Sequence, residues 1–81
     1  MRIKLSKQAS KSIAGMDSIT KQRIKRGIAG LPVGDVTALK GSIGIYRLRV
    51  GGYRIVFSYL DKDTIVIDKI APRGGVYKGG L

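Results

Sequence analysis

The chain has 81 residues, with sixteen Lys and Arg side chains against five Asp and no Glu, which gives a formal net charge of +11. Its 43% content of hydrophobic residues is too high for a disordered basic tail, so the sequence predicts one folded, cationic domain over residues 1–81. The absence of cysteine and histidine excludes a disulfide framework, a thiolate nucleophile, Cys- or His-ligated metal and a Ser-His-Asp triad. We therefore expect no metal and no cofactor.

The sequence also bears on location and on carboxylate chemistry. No stretch resembles a signal peptide or reaches the roughly 18 consecutive apolar residues of a membrane span, so we expect a cytoplasmic protein with no membrane partner. The few carboxylates are predicted mostly at turns or helix starts, which argues against the paired carboxylates of a glycosidase.

The N-terminal part of the sequence predicts one short strand and two helices. Residues 2–5 alternate between basic and apolar side chains, as in a strand with one buried face. Ser6 can cap a short first helix, and Asp17 or Ser18 can cap a longer second one that ends near Gly30 and Pro32. The apolar stripes are Ala9, Ile13 and Met16 in the first helix and Ile24, Gly27, Ile28 and Leu31 in the second.

The second helix carries four cations with no carboxylate at i+4 to offset their repulsion. Two interpretations stay open, a solvated helix face, which most charge runs are, or a contact with a polyanion such as RNA. The four candidate RNA-contacting residues on this helix are Lys21, Arg23, Lys25 and Arg26.

The middle of the chain predicts a loop followed by a β-hairpin. Residues 31–42 contain turn residues and are interpreted as a loop that returns the chain to the sheet. In residues 44–59, two alternating runs flank Gly51-Gly52, a pair that favours a two-residue type I′ turn. This turn pairs Val50 with Tyr53 and fixes the register. The face predicted to enter the core is Tyr46, Leu48, Val50, Tyr53, Ile55, Phe57 and Tyr59.

The opposite face of the hairpin carries Arg47, Arg49 and Arg54, with Arg49 directly across from Arg54. Like charges in that position repel, so the arrangement is poor for stability alone unless an anion binds there. An alternative is that the arginines splay apart and lay their stems over the sheet. Because guanidinium groups bind phosphate in bidentate fashion and the chain carries +11, a phosphodiester of RNA or DNA is the best-fitting ligand.

The C-terminal part predicts one more strand and a turn. Residues 64–70 are apolar on both faces, as in an interior strand, and their register is left open. Gly74-Gly75 would turn the chain so that Val76 and Tyr77 pair at a sheet edge, where Tyr77 is either an ordinary aromatic or a base-stacking one. The predicted fold is α+β, with the two N-terminal helices packed on one face of a small, twisted, mainly antiparallel sheet.

Three segments, YRLRVGGYRIVFSY, DKDTIVIDKI and APRGGVYK, resemble the RelE/ParE superfamily of bacterial toxin components, most closely its RelE branch. The resemblance covers nearly the whole chain and implies a RelE-like fold. It also implies an mRNA interferase, a metal-independent endoribonuclease that enters the ribosomal A site. Such an enzyme cleaves the codon there by attack of a 2′-hydroxyl and so inhibits translation.

The resemblance also implies roles for individual residues. Arg47 and Arg49 take the paired basic positions, Arg54 that of the phosphate-stabilising arginine, and Arg73 that of an arginine near the leaving oxygen. Tyr77 takes the position of a tyrosine that orients or stacks the nucleotide. Lys78 joins the helix cations as a candidate RNA contact.

One departure from the family concerns proton transfer. Relatives commonly have Lys at the first two positions, where it can serve as a general base, whereas Arg releases its proton poorly. Catalysis would then depend on positioning and on charge stabilisation.

The implied partners are a cognate antitoxin protein, the 70S ribosome with its mRNA, and operator DNA reached only through the antitoxin. Two alternatives stay open: a ParE-like inhibitor of DNA gyrase on the same fold, and a non-catalytic RNA- or ribosome-binding module.

Overall fold

The computed structural model describes residues 2–41 and 43–72. These residues form two helices and one five-stranded sheet with the order β1-β5-β4-β3-β2, in which β1 runs parallel to β5 and the other neighbours are antiparallel. Neither helix of the described part is long and apolar enough to cross a membrane. The α+β prediction is confirmed. The elements are β1 Arg2–Leu5, α1 Lys7–Ala14, α2 Ser18–Ala29, β2 Val36–Ala38, β3 Ile45–Val50, β4 Tyr53–Asp61 and β5 Thr64–Pro72.

The predicted helix starts are confirmed. The Ser6 side chain caps α1, because its Oγ accepts a hydrogen bond of 3.0 Å from the Ala9 N–H and satisfies one of the free donors of the first turn. The same Oγ donates to the backbone oxygen of Asp68 at 2.8 Å, which ties the helix to β5. Asp17 occupies the N-cap position of α2 without a side-chain hydrogen bond, so its favourable contribution is that of a negative charge near the helix N-terminus.

The core lies between the helices and one face of the sheet. The predicted apolar stripes supply it from the helices, and Gly27 allows α2 to approach β3 closely, since a Cβ there would lie 2.6 Å from Val50 Cγ2. Each fully buried Ile or Phe stabilises the fold by about 1.5–3 kcal/mol through removal of apolar surface from water. The buried core residues are Ala9, Ile13, Ile24, Ile28, Leu31, Leu48, Ile55, Phe57, Ile65, Ile67 and Ile70.

The hairpin register is confirmed pair by pair, from Val50 opposite Tyr53 to Tyr46 opposite Phe57. The predicted type I′ turn is wrong. Gly51 has φ +56°, while Gly52 is not among the glycines with positive φ. A positive φ at the first central position alone is the type II′ pattern, and both types match the strand twist, so the register is unchanged.

Two further expectations need correction. The predicted loop 31–42 contains the short strand β2, which pairs with β3 from Val36 opposite Leu48 to Ala38 opposite Tyr46. Three residues are too few to show an alternating pattern, and the strand is held by pairing with β3. Tyr59 lies on the predicted face but is 41% exposed, and its ring makes edge contacts with Tyr46 and Phe57.

Candidate nucleic-acid interface

Arg47, Arg49 and Arg54 lie together on the face of the sheet opposite the helices, and this set is called the arginine face below. Arg49 and Arg54 are directly paired across β3 and β4, and Arg47 is two residues along the same face. Directly paired residues have Cα atoms about 4.5–5.5 Å apart, so the two arginine side chains start from adjacent points on the same face. The sequence prediction that these three residues meet is confirmed.

The backbone around the arginine face is held from both sides. β2 flanks β3, with Thr37 opposite Arg47, and the Arg49 N–H donates to the backbone oxygen of Asp35 at 3.1 Å. On the other side, Arg54 pairs with Ala71 of β5. The three arginines thus lie on interior strands, Arg47 and Arg49 on β3 and Arg54 on β4. Pairing on both sides of these strands fixes the backbone positions from which the arginine side chains extend.

The Nε atom of Arg47 is buried and has no hydrogen-bond partner within residues 2–41 and 43–72. Leaving a buried donor unsatisfied costs about 1–3 kcal/mol, and more when the group is charged. A ligand reaches this Nε–H only if the side chain moves, so the burial fits the alternative in which the Arg47 stem lies over the sheet. The anion-binding interpretation depends instead on Arg49 and Arg54, whose like charges are paired directly across the hairpin.

A bulge brings two further charged residues to the same face. Val56 pairs with Lys69 and Phe57 pairs with Ile67, so Asp68 is the extra residue on β5. Lys69 therefore shares the face of Val56 and of Arg47, to which Val56 is paired. Asp68 accepts a hydrogen bond of 2.9 Å at Oδ2 from the Ser58 hydroxyl. Lys69 is exposed and Asp68 half-buried.

Sequence reasoning missed Asp68 and Lys69, although a signal for them was present. Strict alternation from Ile65 and Ile67 would bury position 69, yet the next apolar residue is Ile70. A shift of one residue in the apolar spacing indicates a bulge, because a bulge changes which face the following residues occupy.

The helix cations do not join the arginine face. α2 packs on the core side of the sheet, so the sheet separates it from the arginines. Arg23, Lys25 and Arg26 are exposed and Lys21 is half-buried, which fits either a solvated surface or a second polyanion contact. Their role in RNA binding stays a prediction.

Three of the predicted site residues, Arg73, Tyr77 and Lys78, lie outside the described residues. The last described residue, Pro72, pairs with Tyr53 at the hairpin end of β4. The roles of these three residues stay predictions.

An apolar groove of about 240 Å³ lies on the helix side of the sheet at its β1 edge. Leu5, which is 43% exposed, lies in its wall. The groove is lined by Ile3, Leu5, Ile13, Lys25, Ile28 and Ala29.

Comparison with known proteins gives similar sequences and folds. No family model matches the chain. A 45-residue segment is 44% identical to a protein of Methanocaldococcus jannaschii named "Putative toxin RelE1", and the match covers 54% of this chain and 50% of that protein. The aligned part is thus about half of the curated relative.

Solved structures match over most of their length. The RelB-RelE antitoxin-toxin complex of Methanococcus jannaschii contains a chain with a TM-score of 0.75 and 26% identity, and the match covers 96% of this chain and 99% of that one. For the archaeal RelE-RelB complex of Pyrococcus horikoshii OT3 the TM-score is 0.70, the identity 32%, and the coverage 90% and 94%. The toxin-antitoxin complex RelBE2 of Mycobacterium tuberculosis, at 18% identity and a TM-score of 0.74, shares the fold.

Proposed function

This chain belongs to the RelE/ParE superfamily of toxins, and we propose that it is the toxin of a RelBE-type pair that cleaves mRNA in the ribosomal A site. The observation that carries the proposal is the arginine face, on which Arg49 and Arg54 are paired directly across the hairpin and Arg47 lies two residues along. An RNA phosphodiester supplies the oxygens that these donors need.

The proposed reaction is an attack of a 2′-hydroxyl on the adjacent phosphorus. The 2′-oxygen–phosphorus bond forms and the bond from phosphorus to the 5′-oxygen breaks, which leaves a 2′,3′-cyclic phosphate and a 5′-hydroxyl. The 2′-hydroxyl gives up one proton and the departing 5′-oxygen gains one. Two negative charges develop on the phosphorane, and fixed guanidinium groups stabilise that charge more than the single charge of the ground state.

Proton transfer is separate from this charge stabilisation. Because a guanidinium group is a poor general base, Arg47 and Arg49 within this proposal position the phosphate and do not act as bases. Arg73 near the leaving oxygen and Tyr77 on the nucleotide complete the proposed site, with groups of the ribosomal RNA available to the same reaction.

A protein partner is part of the proposal. An antitoxin with an acidic or amphipathic segment would neutralise the arginine face and block its approach to mRNA, and operator DNA would be reached through that antitoxin. The apolar groove supports such a partner, because an exposed apolar surface is typical of binding sites and β1 is an edge strand of the sheet that the described residues form. The solved complexes of the two archaeal relatives are with RelB.

The test is cleavage on programmed ribosomes compared with cleavage of naked mRNA, with new 5′ ends mapped by primer extension. We expect cuts inside the A-site codon, and only when ribosomes are present. Supercoiling by DNA gyrase is measured with the same preparation. Inhibition of gyrase without any cut in mRNA would replace this proposal with a ParE-like function.

A further inference from the structure

The bulge in β5 places an acid and a base side by side next to the arginine face. Because Asp68 and Lys69 together oppose one ladder position, both are on the face that carries Arg47. β5 lies two strands from β3, a lateral distance of about 10 Å. Side chains on this bulge are therefore within reach of the same bound nucleotide as the arginines.

The bulge is fixed from two directions. The Ser58 hydroxyl donates to Asp68 Oδ2 at 2.9 Å on the arginine face. From the helix side, Ser6 Oγ donates to the Asp68 backbone oxygen at 2.8 Å. These bonds orient the carboxylate. Among the described residues no donor is bonded to Oδ1, and Oδ2 keeps a second lone pair beside its bond to Ser58, so each oxygen can take a donor from a ligand.

A carboxylate is out of place on a face built only for phosphate, because it repels the anion that the arginines attract. An ionised carboxylate accepts hydrogen bonds and cannot donate them, and its two oxygens can take two parallel donors. In single-stranded RNA such donors are found on base edges, which are read on their Watson–Crick side. Asp68 therefore fits a base, whereas the arginines fit the phosphate.

Guanine is the base whose Watson–Crick edge matches this pair of side chains. It presents two adjacent donors, N1–H and the 2-amino group, and beside them the O6 acceptor. The carboxylate of Asp68 can accept both donors, and the ammonium of Lys69 can donate to O6. Uracil offers one donor on that edge, and adenine and cytosine offer one amino group.

We propose that Asp68 and Lys69 form a guanine-binding subsite beside the arginine face, so that the toxin prefers an A-site codon with guanine at one fixed position. The inference rests on the proposed function, since the base is read within the codon that is cut. Ser58 is the residue that positions the Asp68 carboxylate.

The experiment measures cleavage on ribosomes programmed with codons that carry one guanosine, moved through the three positions, and with inosine in its place. Inosine lacks only the 2-amino group, so the wild type should lose about ten- to a hundredfold in kcat/KM at one position, as for a hydrogen bond to a charged group. Asp68→Asn keeps an oxygen for the Ser58 hydroxyl but cannot accept two donors. It should cleave the guanosine and inosine codons at similar rates.

The matched control is Asp63→Asn, which removes an equal charge at the exposed β4–β5 turn and should keep the wild-type ratio of guanosine to inosine. Equal cleavage of both codons by the wild type at every position would overturn the subsite. So would a uniform loss for Asp68→Asn with the ratio kept, because a general base or a bulge anchor acts on every codon alike. No cleavage of any codon would overturn the proposed function itself.

Discussion

Replacing Arg54 with glutamine should stabilise the fold while it weakens the activity. Arg54 faces Arg49 directly across the hairpin. Two unit charges at about 5.5 Å, the upper end of the Cα spacing of directly paired residues, repel by roughly 0.8 kcal/mol in water and about 3 kcal/mol at an effective dielectric of 20. Because Arg49 is exposed, the lower figure applies, and we expect a gain of about 0.5–1 kcal/mol. For a domain of this length that raises Tm by roughly 2–8 °C.

Activity should move the other way. Loss of one donor that binds the developing charge lowers kcat by about 10²–10³, so Arg54→Gln should cleave ribosome-bound mRNA that much more slowly. Lys62→Gln is the matched control, since it removes one charge from an exposed turn and should change neither quantity appreciably. Circular dichroism melts at low salt and at 1 M salt complete the test, because screening should abolish the stability gain. A loss of more than 1 kcal/mol, or wild-type cleavage, would refute the reasoning.

Three other predictions concern the fold and the charge of the site. Gly27→Ala should destabilise the protein by about 1–2 kcal/mol in urea titrations, because the added Cβ would lie 2.6 Å from Val50 Cγ2. Helix propensity alone predicts the opposite, a gain in stability. Gly15→Ala is the control, since its added Cβ meets only backbone atoms at 3.8 Å. Ser6→Ala should cost about 1–3 kcal/mol in the same assay, since it removes both the helix cap and the bond to β5. If three arginines contact phosphates, the affinity for single-stranded RNA should fall about a hundredfold per tenfold rise in salt, measured by fluorescence anisotropy, and Arg54→Gln should make that dependence shallower.

The parts of the fold that the sequence predicts are those set by local chemistry. The Gly51-Gly52 turn and the alternation on either side of it determine the hairpin register, and with it the three arginines. Ser6 and the apolar spacing determine the first helix. These features follow from residues close together in the chain, so tertiary contacts did not alter them.

The features that were missed depend on contacts between distant segments. β2 is a strand because β3 offers it an edge, and the bulge at Asp68 forms because Ile67 and Ile70 must both reach the core. Within the candidate site, the positions of Arg47, Arg49 and Arg54 are accordingly predicted, because they follow from the hairpin register. Asp68 and Lys69 were missed, because the one-residue shift in apolar spacing that marks their bulge was not interpreted.

The most direct test of the proposed chemistry uses ribosome-bound mRNA with one 2′-deoxynucleotide placed in turn at each position of the A-site codon. If a 2′-hydroxyl is the nucleophile, one deoxy position should abolish cleavage by the wild type. The other positions should still be cut, leaving a 2′,3′-cyclic phosphate and a 5′-hydroxyl. Cleavage that persists with every deoxy substitution, or products with a 5′-phosphate, would contradict the account.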